Sequence, residues 1–114
     1  MQININASKI DITPSLNTYI EEKLGGLVKY FKRFDESGVS QLKIEISRTT
    51  AHHHKGDVFQ ATANLSLPKH TLRAEETAED VRTAIDGIEQ KLKGEIEKYR
   101  TRFVEPDRES SRQQ

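Results

Sequence analysis

Four segments of this chain alternate apolar and polar side chains, and in each the apolar ones fall on a single side. "QININA" aligns Ile3, Ile5 and Ala7, and "QLKIEISR" aligns Leu42, Ile44 and Ile46. "VFQATANLSL" aligns Phe59, Ala61, Ala63, Leu65 and Leu67, and "TLRAEE" aligns Leu72 and Ala74. Successive side chains of a strand point to opposite faces, so this pattern predicts four strands, each apolar on one face only. A sheet built from them must be covered on one side and solvated on the other.

Two segments with helical spacing supply the cover. In "DITPSL" Thr13 is a suitable N-cap and Pro14 suits the first helical position, where a missing N–H costs nothing. Leu16, Ile20, Leu24, Leu27, Phe31 and Phe34 then mark an amphipathic helix from about Pro14 to Phe34. Gly25-Gly26 inside it suggests close packing on the sheet. A second stripe runs through Val81, Ile85, Ile88, Leu92, Ile96, Tyr99 and Phe103, with Thr77 as the expected cap and Asp80 completing a capping box. That helix would be about 40 Å long against about 26 Å for an eight-residue strand, so its C-terminal turns are expected to extend past the sheet. Short connections join the last three strands, which predicts an antiparallel meander. The order is β-α-β-β-β-α. The expected architecture is an α+β two-layer sandwich, with two helices side by side on one face of a four-stranded sheet. Residues 1–103 are expected to form one domain, and "VEPDRESSRQQ", 104–114, a flexible polar tail.

Composition removes several classes of function. The chain has 114 residues and no cysteine, which excludes disulfides and thiolate metal sites and suggests a reducing compartment. No apolar run reaches the roughly 18 residues of a membrane span, and the N-terminus lacks the basic and apolar regions of a signal peptide. A cytoplasmic protein is expected. "HHHKGD", His52 to Asp57, invites a zinc reading, with His70 as a fourth histidine. In extended chain only His52 and His54 share a side, and two ligands do not close a tetrahedral site. A solvated loop is expected there, and neither metal nor cofactor. No nucleophile elbow, zinc-protease motif or phosphate loop is present, and the acidic pairs Glu21-Glu22 and Glu75-Glu76 read as solvated faces. Neither an enzyme nor a small-molecule substrate is expected.

The charges carry more. The formal net charge is zero, yet "KLKGEIEKYRTRF", Lys91 to Phe103, holds five basic and two acidic residues, after four acidic and one basic from Glu79 to Gln90. Lys91, Lys98 and Arg102 share one side of the helix, flanked by Lys93 and Arg100. On the first helix Lys29, Lys32 and Arg33 cluster toward the end, with Lys23 a turn or two earlier. Two readings stay open on spacing. Cations at helix C-termini and acids at N-termini complement the macrodipole, with no ligand involved. Side-by-side helices would alternatively join these cations into one positive surface for a polyanion.

Several stretches together resemble a known family. They are "MQINI", "DITPSL", "EEKLGGLVKYFKRF", "HHHKGDVFQATANLSLP", "LRAEE", "EDVRTAIDGIEQKL" and "KYRTRF". In this order and spacing they are similar to the short ribosome hibernation promoting factors, in the ribosome-associated inhibitor and sigma-54 modulation family. The likeness runs from Met1 to about Phe103. It implies the β-α-β-β-β-α sandwich, related to double-stranded RNA-binding domains. It further implies a translation inhibitor of stress or stationary phase, bound to small-subunit ribosomal RNA in the channel of messenger and transfer RNA. Off the ribosome a monomer is expected, without a membrane partner. Lys23 matches a basic family position on the first helix, and Lys91, Lys98, Arg100 and Arg102 match basic positions on the second. Lys29, Lys32 and Arg33 fall in a region that is often basic. Arg82 stands where tyrosine is usual, and would either contact phosphate or pair with Asp86 at i+4. Gly94-Glu95 replaces a common Arg-Gln and Gly26 a common lysine, so affinity or its salt dependence is expected to differ. Neither a second domain after Phe103 nor pairing of ribosomes by this chain alone is expected. The alternatives are a general structured-RNA binder and a protein-interaction module whose charges serve only solubility and capping.

Overall fold

The computed structural model describes residues 1–32, 40–49, 58–68 and 70–104. Strand β1 (Gln2–Ser8) leads into helix α1 (Pro14–Gly25), which tightens into a 3-10 segment (Gly26–Tyr30). Strands β2 (Gln41–Thr49), β3 (Val58–Leu67) and β4 (His70–Ala78) follow, then helix α2 (Val81–Tyr99) and a π-helical segment (Arg100–Val104). The sheet order is β1-β2-β3-β4. β1 runs parallel to β2, and β2, β3 and β4 form the antiparallel meander.

Register aligns the apolar positions into rows under the helices. Ile3, Leu42, Leu65 and Leu72 form one row, and Ile5, Ile44, Ala63 and Ala74 the next. From α1 and the 3-10 segment, Leu16, Ile20, Leu24 and Leu27 are buried, and from α2 Val81, Ala84, Ile85, Ile88, Leu92, Ile96 and Tyr99. α2 lies over β3 and β4 and beside α1. The alanines at 61, 63 and 74 leave depth beneath it for Ile85, Ile88 and Leu92, all fully buried. The opposite face carries exposed Asn4, Asn6, Lys43, Glu45, Arg73 and Glu75, as one-sided alternation requires.

Four local expectations are corrected. The first α-helix stops at Gly25 rather than continuing to Phe34. Its glycines do not mark close packing: a Cβ on Gly25 would reach Ile3 at an ordinary 4.0 Å, and one on Gly26 would meet nothing. They instead lower helix propensity at the point where the α-helix gives way to the 3-10 turn. Thr77 is not a cap, because β4 pairs on through Thr77 and Ala78. The N-cap is Asp80, whose carboxylate accepts from the Thr83 N–H at 2.8 Å and the Thr83 hydroxyl at 2.7 Å. The second helix has 19 α-helical residues, about 28 Å. Its end does not stand clear of the sheet, because the Tyr99 hydroxyl donates to the Pro68 carbonyl at the β3–β4 turn, 3.1 Å away.

Candidate nucleic-acid interface

Helix α2 lays its apolar stripe on the sheet, so its cations fall on the two flanks of that stripe. Two residues advance a helix by about 200°, which separates Lys91 from Lys93. The neighbours identify the flanks. Lys91 reaches β4: its ammonium donates to the Glu75 carbonyl at 2.7 Å and lies 3.4 Å from the Glu76 carboxylate. Lys98 and Arg102 continue that flank beside His70, Thr71 and Leu72 of β4. Arg82, Asp86 and Lys93 instead face α1 and the 3-10 segment. Arg82 donates to the Ser15 hydroxyl at 3.1 Å and covers the Tyr19 ring at 4.7 Å. Asp86 takes the Tyr19 hydroxyl and lies 3.6 Å from the Lys23 ammonium. The single positive surface expected from side-by-side helices is therefore two rows, a β4-edge row and an α1–α2 seam row.

Compensation differs between the rows. At the edge Lys91 is held by Glu76 and Lys98 by Glu95 at 3.7 Å. Gly87 makes the first of these possible: a Cβ there would lie 2.5 Å from Glu76 Oε2, so only glycine lets that carboxylate cross the helix toward Lys91. Glu76 itself sits in register with Ala61 and Ile46, at a helix-facing position of the edge strand. Arg102 has no ion pair among the described residues. Arg100 pairs with Glu97. In the seam Lys23 pairs with Asp86, and Arg82 is engaged by Ser15 and Tyr19; of its two alternatives, the Asp86 pair is not formed.

Farther along the seam two lysines share one aromatic ring. Lys29 and Lys93 both lie over the Tyr30 ring, at 5.2 and 5.1 Å from its centre. Neither has an ion pair among the described residues, and Lys32, three residues after Lys29 in sequence, is exposed. The Lys93 ammonium, in hydrogen-bonding position, holds the Tyr30 hydroxyl below its usual range, and Lys29 adds to this. Tyr19 shifts the opposite way, raised first by its hydrogen bond to Asp86. Two ammonium groups on one ring, with no ion-paired carboxylate among the described residues, form a cationic centre in the helical layer. Spacing marked Lys93 only as a flanking residue, and Tyr30 carried no charge to draw notice. Arg33 and the His52–His54 run lie outside the described residues.

The architecture defines a class: a two-layer α+β domain with cationic flanks along its last helix. Over residues 3–103 the chain matches the family described as Sigma 54 modulation protein / S30EA ribosomal protein, and it belongs to that family. It is similar to a ribosome hibernation promotion factor of Lactococcus lactis subsp. cremoris, 32% identical over 106 residues, covering 90% of this chain and 51% of that protein. A ribosome hibernation promotion factor of Staphylococcus aureus is 30% identical over 114 residues, covering 100% of this chain and 56% of that protein. The chain thus spans about half the length of these relatives. The fold resembles the N-terminal domain of Thermus thermophilus Protein Y, with TM-score 0.70 and 26% identity over 88% of this chain and 100% of that one. It also resembles a ribosomal subunit interface protein of Coxiella burnetii, with TM-score 0.68 and 23% identity over 90% of this chain and 100% of that one.

Proposed function

We propose that this chain is a ribosome hibernation factor that binds small-subunit ribosomal RNA in the messenger and transfer RNA channel and blocks translation. The single observation that carries the RNA contact is the pair of ammonium groups of Lys29 and Lys93 over the Tyr30 ring, without an ion pair among the described residues, on a domain whose relatives bear hibernation names; exposed Lys32 follows in sequence. Lysines that displace counterions from phosphates give affinity that falls with salt. Recognition of folded RNA rests on backbone geometry, which suits ammonium groups on a rigid helical layer. Arg100 extends the contact from the end of α2, and Arg102 adds a cation on the β4-edge flank. The mechanism is steric: a domain seated in the channel excludes messenger and transfer RNA without a chemical step. The cell compartment is then the cytoplasm, and the free protein is a monomer; 105–114, the rest of the expected tail, lie outside the described residues.

Competition on isolated small subunits tests the location. The protein is expected to displace labelled initiator transfer RNA and messenger RNA as it binds. Simultaneous binding of protein and transfer RNA at saturation would refute the channel assignment.

A further inference from the structure

Among the described residues Phe103 is the large apolar side chain left exposed, at 51%. It is held in place. Its ring stacks on His70 with centres 4.1 Å apart and planes 24° from parallel. Tyr99 meets the His70 ring edge-on at 5.4 Å, while its hydroxyl is fixed to the Pro68 carbonyl. The platform thus joins the start of β4 to the end of α2. Beside it opens a recess of about 150 Å³, lined by His70, Leu72, Glu95, Lys98, Arg102 and Phe103. Glu95 is balanced by Lys98, which leaves the Arg102 guanidinium as the uncompensated charge of the recess.

An exposed aromatic face beside a free guanidinium is the pairing with which proteins hold unstacked bases of single-stranded RNA. A base already stacked in a duplex cannot reach such a face. A hydrophobic protein partner would gain nothing from the adjoining cations, whereas a nucleotide uses both. We propose that the His70–Phe103 stack and Arg102 form a seat for one unpaired nucleobase, with the base on the aromatic pair and its adjoining phosphate on Arg102. The inference rests on the RNA-binding reading above and adds a contact to a base where that reading has only phosphates.

The test compares the full chain's affinity, by fluorescence anisotropy, for short oligouridylate and for an abasic ribose-phosphate strand of equal length. The wild type is expected to favour the base-bearing strand by about fivefold or more. Phe103→Ala should abolish that preference and keep the abasic affinity, Phe103→Trp should keep the preference, and Arg102→Gln should weaken both strands alike. Phe103 is exposed, and an unchanged thermal midpoint verifies folding of the variants. Equal wild-type affinity for the two strands, or a preference that survives Phe103→Ala, overturns the seat. Failure of the wild type to sediment with ribosomes while the preference holds would instead overturn the ribosomal function and leave the seat standing.

Discussion

Gly87 and Gly94 lie seven residues apart on α2, and the structure predicts different responses to the same substitution. In a helix interior glycine costs about 0.8–1.0 kcal/mol relative to alanine. A Cβ at Gly94 meets nothing within 4 Å, so Gly94→Ala should recover that amount in full. For a domain of this size about 1 kcal/mol raises the thermal midpoint by roughly 4–8 °C. At Gly87 the new methyl group would lie 2.5 Å from Glu76 Oε2 and 2.6 Å from its Cγ, so the side chain must swing away. Its ion pair with Lys91, at 3.4 Å and half-exposed, is then lost. Such pairs contribute about 0.2–1 kcal/mol, which offsets much of the propensity gain. The Lys91 bond to the Glu75 carbonyl survives. Gly87→Ala is therefore expected to stabilise less than Gly94→Ala, or not at all. Thermal denaturation of both variants, followed by circular dichroism, is the assay. A Gly94→Ala protein no more stable than wild type would show that the helix gains nothing there, and a Gly87→Ala protein at least as stable as Gly94→Ala would show that the Glu76 contact does not set Gly87 apart.

Other consequences follow from single contacts. Ile88 is fully buried on the sheet-facing side of α2, and Ile88→Ala should cost about 2–5 kcal/mol in urea denaturation. The Thr83 N–H and hydroxyl hold the Asp80 carboxyl below its usual 3.8, so the folded state binds fewer protons than the unfolded state in that region. The resulting stability is present above about pH 4 and lost as pH falls through the depressed folded value, and Asp80→Asn should flatten this acid limb of a midpoint-against-pH series. Tyr30 should ionise at lower pH than Tyr19 in a tyrosinate titration, with Tyr19→Phe and Tyr30→Phe assigning the two, and Lys93→Gln should narrow the gap.

The strands were legible because one-sided alternation reports the face each residue takes, and the register confirms it across Ile5, Ile44, Ala63 and Ala74. Thr13 was legible as a cap because Pro14 leaves few other roles for it. Thr77 misled because a capping residue and a strand residue look alike until pairing is known, and Gln60 pairs with Thr77. The cations were legible as a set, but not their division. Lys91 and Lys93 differ by more than half a turn, and spacing does not say which flank faces α1. The Tyr30–Lys93 approach joins residues far apart in sequence and depends on the rotation of α2 about its axis. Glu76 and Gly87 were silent for the same reason.

In the proposed function the seam lysines meet ribosomal RNA. Sedimentation with isolated small subunits across a salt series, for the wild type and for a variant with Lys29, Lys32 and Lys93 changed to Gln, tests it most directly. The wild type is expected to comigrate at low salt and dissociate as salt rises. Losing three phosphate contacts should make the slope of log affinity against log salt shallower by about two to three. No comigration at low salt, or a variant with the wild-type slope and affinity, would contradict the claim.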